Sequence, residues 1–163
     1  MFTSQMPLAL SQARAAAERG ETPVGAVVTG PDGSVLAADG NRVRELADPT
    51  AHAEILVLRA AALRLGSERL IDCGLTVTLE PCPMCAGAIS QARIATLWFG
   101  ALDPKGGGVE SGPRVFAHST CHHRPEVYGG IAETEASDLL RAFFRDLRDG
   151  TASRCGNTPG QSD

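Results

Sequence analysis

The chain has 163 residues, of which 43% are hydrophobic and 21% are charged, and its formal net charge is −4. This profile predicts one globular domain and argues against disordered and fibrous proteins. The acidic balance weighs against a nucleic-acid partner but does not exclude one, because a basic patch can lie on an acidic protein. We find no apolar run that could span a membrane and no signal peptide, so we expect a cytoplasmic location.

The first 65 residues predict a helix, a β-hairpin and a second helix. Alanine-rich helical spacing marks the first helix, and Gly20 is expected to end it. Two short β-branched runs around a Gly-Pro-Asp-Gly turn predict the hairpin. Asp48 or Thr50 is expected to cap the second helix. These helices and strands are predicted at 5–19, 24–29, 34–38 and 51–65.

The rest of the chain predicts strands that alternate with helices. Strands are expected at 75–79, 94–99 and 127–131, and helices at 82–91, 111–117 and 133–148. The last helix is amphipathic, and its inward-facing residues are predicted to be Ala136, Leu139, Leu140, Phe143 and Phe144. A hairpin followed by this alternation predicts a three-layer α/β/α domain around a mixed sheet of about five strands. We expect this domain to span 1–149 and the tail 150–163 to be disordered.

One histidine and two cysteines have the types and positions of metal ligands. His52 lies near the start of one predicted helix, and Cys82 and Cys85 lie on the first turn of another. A helix N-terminus lowers the pKa of a thiol, so both cysteines are expected to ligate as thiolates. Taken alone, the C-x-x-C pair could equally be a buried pair of small residues or a redox pair. The five cysteines are an odd number, which fits thiol and metal usage better than a disulfide framework.

Three protein ligands indicate a catalytic zinc rather than a structural one, which normally has four. Cys73 is a poor fourth ligand, because the strand 75–79 should separate it from Cys82 by roughly 15 Å or more. The fourth position is therefore expected to hold a water molecule, whose pKa a zinc ion lowers to about 7. Glu54, two residues after His52, is not needed as a ligand and can serve as the proton shuttle. The pattern H-x-E with P-C-x-x-C is the signature of zinc deaminases, which hydrolyse an amino group from a nucleobase.

Five segments of the sequence resemble the bacterial tRNA-specific adenosine deaminases, in the cytidine and deoxycytidylate deaminase superfamily. They are Pro23–Val27, Asn41-Arg42, Asp48–Glu54, Thr78–Ile89 and Phe99–Ala101. The similarity extends from about residue 6 to residue 148 and implies a cytidine-deaminase-like fold and a homodimer. It implies one zinc per chain on His52, Cys82 and Cys85, with Glu54 as the catalytic residue.

The same resemblance implies a substrate and the residues that contact it. The expected reaction converts adenosine to inosine at the wobble position of an arginine tRNA, with the anticodon stem-loop as partner. Asn41, Ala53, Val24 and Phe144 are the expected substrate contacts. Lys105, Arg124, Arg141 and Arg145 are expected RNA contacts.

Several of these residues have simpler interpretations that remain open at this point. Asn41 is common at strand-end turns, and a stripe of arginines at 141, 145 and 148 can be a solvated helix face. Phe143 and Phe144 point about 100° apart on a helix, so at least one is expected in the core. Cys121-His122-His123 could suggest a second metal site, but an ordinary loop is favoured.

Two other functions compete with tRNA deamination. A deaminase of the same fold that acts on a free base or nucleoside, such as guanine or cytosine, would use the same zinc chemistry. A non-catalytic zinc module that binds RNA is expected to lack a carboxylate at position 54, where this chain has Glu54. The acidic net charge favours a free-base substrate, whereas the Leu79–Ile89 block and the last helix favour tRNA.

Overall fold

The computed structural model describes residues 3–150, a range that holds four α-helices and five β-strands. The helices are α1 (Met6–Glu18), α2 (Ala53–Leu65), α3 (Pro83–Gln91) and α4 (Glu133–Arg148). The strands are β1 (Gly25–Thr29), β2 (Val35–Gly40), β3 (Gly74–Leu79), β4 (Thr96–Ala101) and β5 (Glu126–Tyr128). The predicted elements are present with ends shifted by a few residues, except that the helix expected at 111–117 is only a 3₁₀ turn at Val115–Ala117.

The five strands form one mixed sheet in the order β2-β1-β3-β4-β5. Strand β1 pairs antiparallel with both β2 and β3, whereas β4 pairs parallel with β3 and β5. Because parallel neighbours need a crossover, α3 connects β3 to β4 across one face of the sheet. The predicted mixed sheet of about five strands is therefore confirmed.

Alternate side chains of the central strands enter two separate cores, one on each face of the sheet. On β1, Val28 packs in the core that contains residues of α2 and α3, and Val27 packs in the core that contains residues of α1 and α4. This period of two is what an extended strand buried on both faces produces. The arrangement is the expected three-layer α/β/α sandwich.

Helix α2 begins two residues later than predicted, and neither expected residue caps it. The N-cap is His52, in an extended backbone conformation and without a side-chain capping bond. Asp48 Oδ1 instead accepts the backbone N–H and the hydroxyl of Thr50, at 2.8 and 2.7 Å. This local turn occupies both side chains before the helix starts, which leaves His52 free to face the cleft described below.

Helix α4 packs on the sheet through its first half only. Ala136 is its one buried residue, and Gly100 of β4 allows the close approach, since a Cβ there would lie 3.1 Å from the Ala136 Cβ. Three of the other residues expected to face inward, Leu139, Leu140 and Phe143, are half-buried. Phe144 is exposed, so the prediction that it faces the core is wrong. The last turns of α4 flank a cleft rather than the core.

None of the described helices combines the length and apolar character needed to cross a membrane. The extent of a single domain over 1–149 stays a prediction. Residues 151–163, most of the tail that the sequence analysis expects to be disordered, lie outside the described range.

Candidate active site

The first turns of α2 and α3 bring three sulfur and nitrogen donors together at one edge of the sheet. His52 is the N-cap of α2, and Cys82 is the N-cap of α3, with Pro83 as its first helical residue. Cys85 lies on the first turn of α3 and is buried. Proline at this position fits a helix start, because the missing N–H has no partner there and the backbone angle is already helical.

The distances between these donors match those of ligands around one tetrahedral zinc ion. Nδ1 of His52 lies 3.6 Å from Sγ of Cys82 and 3.5 Å from Sγ of Cys85. Bonds of about 2.3 Å to sulfur and 2.0–2.1 Å to nitrogen at tetrahedral angles place nitrogen and sulfur about 3.6 Å apart. Both nitrogen–sulfur distances therefore fit ligands of one zinc ion.

No other residue in the described range joins this potential metal site. His52, Cys82 and Cys85 form the single group between residues 3 and 150 that could hold a metal ion. Cys73 is buried ahead of β3 and is not in the group, as expected from the length of the strand. Cys121 contacts the Ser90 hydroxyl and the carbonyl of His123, so the loop interpretation of Cys121-His122-His123 holds.

The two thiols differ in acidity. A hydrogen bond from the Cys85 thiol, supported by one from His52, lowers the pKa of Cys82 to about 4 despite partial burial. The pKa of Cys85 is raised, because its proton is held by Cys82 and because the thiol is buried. The expected thiolate character thus applies to Cys82, and a bound cation must displace the proton of Cys85.

Glu54 lies in the first turn of α2, two residues beyond His52, and its side chain is 4% exposed. Burial raises the pKa of Glu54 to about 7. Glu54, His52 and Cys82 all line the same cleft. A buried carboxyl group beside a set of metal donors is well placed to take up and return a proton during a reaction.

The cleft over these residues has a volume of about 520 Å³, within the range of small-molecule sites. Of the expected substrate contacts, Val24, Asn41 and Phe144 line it, whereas Ala53 is fully buried and does not. Phe143 and Leu147 contribute further apolar wall from α4. The cleft therefore combines polar and ionisable groups with apolar side chains.

The sequence pattern assigns no role to two buried glutamates near the cleft. Glu21 accepts the side-chain N–H of Asn41 at 3.0 Å and the backbone N–H of Glu45 at 2.8 Å. Glu80 lies between β3 and Cys82 and accepts hydrogen bonds from the loop 103–111. The sequence signal available for Glu80 is a charged residue at the end of an apolar strand.

A second opening of about 510 Å³ adjoins the cleft and is basic. Phe144 lines both, and the opening is otherwise lined by Lys105, Leu140, Arg141, Arg145 and Arg148. We call these six residues the basic groove. Arg124 lines neither opening and donates to the carbonyl of His118. The structure thus brings three of the four expected RNA contacts together and leaves Arg124 apart.

Comparisons with known proteins show the family of the chain. A model of the MafB19-like deaminase family matches residues 3–148. The tRNA-specific adenosine deaminase of Agrobacterium fabrum is 60% identical over 146 residues, which cover 90% of this chain and 95% of that protein. Both the family match and this relative extend over nearly the whole chain.

Solved structures give the same assignment of fold. A protein from structural work on A-to-I editing by tRNA:A34 deaminases at the wobble position of transfer RNA shares 60% identity with a TM-score of 0.81, over 83% of this chain and 97% of that one. Guanine deaminase from Nitrosomonas europaea shares 25% identity with a TM-score of 0.70, over 88% of this chain and 86% of that one. The family model over residues 3–148 and the relative of 60% identity show that this chain belongs to the MafB19-like deaminases and to the tRNA-specific adenosine deaminases.

Proposed function

We propose that the chain converts adenosine to inosine at the wobble position of tRNA, with an arginine tRNA as substrate. The observation that carries the proposal is the position of buried Glu54 beside three metal donors, in a cleft that opens onto the basic groove. The carboxylate beside the metal donors supports deamination, and the opening onto the basic groove supports an RNA substrate. The identity of 60% with a tRNA-specific adenosine deaminase supports both.

His52, Cys82 and Cys85 would hold one zinc ion per chain. When bound, zinc supplies a Lewis acid that lowers the pKa of water to near neutrality. Glu54 is buried and apolar side chains form part of the cleft wall, so a bound base would shield the reacting atoms from bulk water. These features fit a catalytic ion better than a structural one.

Glu54 performs the proton transfers of the reaction. Its carboxylate takes a proton from the attacking water and delivers it to the adjacent ring nitrogen of adenine, as oxygen bonds to the carbon bearing the amine. It then passes the second proton of the water to the amine, the carbon–nitrogen bond breaks, and ammonia leaves. The product carries a carbonyl where the amine was, which is inosine.

The cleft residues hold the base that reacts. Target bases are stacked in RNA and must leave the stack to reach a buried centre. Val24 and Phe144 offer apolar contact to such a base, and Asn41 offers hydrogen-bonding groups. Ala53 is fully buried and does not line the cleft, so its expected contact with the base stays a prediction.

Turnover measurements separate this function from its competitor, a deaminase for free bases. Ammonia release is measured with an arginine tRNA anticodon stem-loop and, separately, with guanine, cytosine, adenine and their nucleosides. We expect turnover of the stem-loop, with inosine found at the wobble position. The structural likeness to a guanine deaminase supports the competitor. Turnover of guanine or cytosine without turnover of the stem-loop would establish that second function instead.

The basic groove should make stem-loop turnover sensitive to salt. Three exposed cations of this groove, Lys105, Arg141 and Arg145, can contact phosphates. Because such contacts release counterions from the RNA, the complex weakens as the salt concentration rises. We expect Arg145→Glu to raise KM more than it lowers kcat. It should also flatten the slope of log(kcat/KM) against log[salt] by about one unit or more.

The matched control is Arg69→Glu, which reverses an exposed charge that lines neither opening. It should leave KM and the salt slope near those of the unmodified chain. A salt-independent rate, or equal effects of the two substitutions, would contradict phosphate contact at the basic groove. Arg124→Glu, measured alongside, tests the fourth expected contact.

We also propose a homodimer with RNA-facing residues drawn from both chains. Support comes from the family resemblance and from apolar side chains exposed on α2 and α3, where Leu63 is 84% and Met84 is 38% exposed. Sedimentation at micromolar concentration should give a dimer, and Leu63→Arg should shift it towards monomer. Leu46→Arg, at an exposed leucine outside these helices, is the control. A monomeric unmodified chain would contradict the proposal.

A tRNA substrate further supports a cytoplasmic location.

A further inference from the structure

The end of α1 directs one carboxylate into the wall of the cleft. Gly20, with φ of +78°, lies just beyond the helix, and its N–H donates to Ala17 while that of Glu21 donates to Ala16. This pair of bonds is a Schellman ending, which fixes the direction of the chain after a helix. Glu21 is thereby held at the cleft, with its side chain 2% exposed.

The Glu21 carboxylate joins two other segments of the cleft wall. Oε2 accepts from Nδ2 of Asn41 at 3.0 Å, and Oε1 accepts from the backbone N–H of Glu45 at 2.8 Å. Asn41 and the neighbouring Arg44 also line the cleft. One buried group therefore connects the end of α1, the exit of β2 and the turn that follows β2.

A carboxylate at this position determines which way the amide of Asn41 faces. An ionised carboxylate only accepts hydrogen bonds, so Asn41 must turn its NH₂ group, not its carbonyl, towards Glu21. Among residues 3–150, none donates to Oδ1 of Asn41. The amide consequently keeps an acceptor and one N–H for a ligand, in a fixed arrangement.

We propose that Glu21 is a positioning residue that acts through Asn41, by fixing which amide atoms the cleft offers to the target nucleotide. This inference rests on the proposed function, because Asn41 matters only if a base occupies the cleft. A buried polar group with a fixed donor and acceptor discriminates strongly between ligands, since a mismatch leaves a group without a partner.

Glu21→Gln is the substitution that tests this role with little change in shape. If Gln keeps its oxygen on the N–H of Glu45, its NH₂ group faces Asn41, and the asparagine amide must rotate by 180° to accept it. The donor and acceptor offered to the ligand are then exchanged. If Gln turns the other way, its NH₂ group meets the N–H of Glu45 and that bond is lost.

A double-mutant cycle measures whether the effect passes through Asn41. We compare kcat and KM on the anticodon stem-loop for the unmodified chain, Glu21→Gln, Asn41→Ala and the double variant. We expect each single variant to lower kcat/KM about tenfold or more, mainly by raising KM. The double variant should equal Asn41→Ala to within about twofold, because Glu21 then has no amide to orient.

Glu45→Gln is the matched control, since it removes a carboxylate from the same cluster and keeps the backbone N–H that Glu21 accepts. It should leave KM and kcat near those of the unmodified chain. Zinc content and melting temperature are recorded for every variant. Asn41→Ser serves as a second route through the cycle if Asn41→Ala unfolds.

Additive effects of Glu21→Gln and Asn41→Ala, or unchanged kcat/KM in either single variant, would overturn the inference. Failure of the proposed function looks different, because the unmodified chain would then not deaminate the stem-loop at all. If it turns over a free base instead, the cycle is run on that base, and coupling between Glu21 and Asn41 is judged there. Inactivity on every substrate would contradict both proposals.

Discussion

Glu54→Gln should lower kcat on the anticodon stem-loop by a factor of about 10² to 10⁴, with zinc and fold retained. Glutamine matches the shape of the buried side chain but cannot take a proton from water or return one to the leaving amine. Glu54 is not one of the three metal donors, so the ion should remain bound. Single-turnover kinetics, zinc analysis after dialysis and thermal melting measure the three quantities.

Cys85→Ala is the contrasting variant, because it removes a donor rather than the proton carrier. It should lose activity together with zinc, and melt at a lower temperature than Glu54→Gln, since metal binding contributes to folding. Near-normal turnover in Glu54→Gln would show that another group carries the proton. Loss of zinc in Glu54→Gln would show that the carboxylate acts on the metal instead.

Glu80→Gln should lower the free energy of unfolding by about 2–4 kcal/mol, a large effect for one atom exchanged. Oε1 of Glu80 accepts hydrogen bonds from three backbone N–H groups, those of Val109, Glu110 and Ser111. Oε2 accepts the backbone N–H of Asp103 and the hydroxyl of Ser111. An amide nitrogen in place of either oxygen would face an N–H group and leave it without a partner. Chemical denaturation at pH 7 measures the change.

The destabilisation should depend on pH. Burial acts to raise the pKa of Glu80, but the hydrogen bonds from Asp103, Ser111 and Glu110 outweigh it and hold the pKa below its ordinary value of 4.5. The unfolded chain then binds a proton more readily than the folded chain. The stabilisation by the carboxylate is therefore complete above pH 4.5 and is lost as the pH falls through the lower, folded-state value.

The control for Glu80 is Glu110→Gln, which neutralises an exposed carboxylate on the same loop. Its free energy of unfolding should stay close to that of the unmodified chain. As the pH falls, the free energy of unfolding of Glu80→Gln should approach that of the unmodified chain. The small difference between Glu110→Gln and the unmodified chain should not change in this way. An equally stable Glu80→Gln chain, or a difference independent of pH, would contradict this account.

Glu80→Gln should also lower turnover of the stem-loop, because Asp103 and Gly106 of the loop that Glu80 holds line the cleft.

The sequence alone determined the residue types of the site and the class of fold. His52 and Glu54 stand in one short pattern and Cys82 and Cys85 in another, and each pattern lies at the start of a helix. The alternation of strands and helices likewise depends on short-range periodicity. These features could be predicted because each is written within a few consecutive residues.

The surroundings of these residues come from segments that are distant along the chain. Glu21 and Asn41 are 20 positions apart, and Glu80 reaches Ser111 across 31 positions, so neither pair leaves a periodic trace in the sequence. The amphipathic spacing of α4 predicts an apolar stripe but not whether a core or a cleft lies against it. Phe144 lines the cleft and is exposed, although the spacing alone predicted an inward position. Hydrogen-bond partners and packing neighbours at such separations depend on where the sheet ends and the next loop begins, which the folded chain sets and no local pattern records.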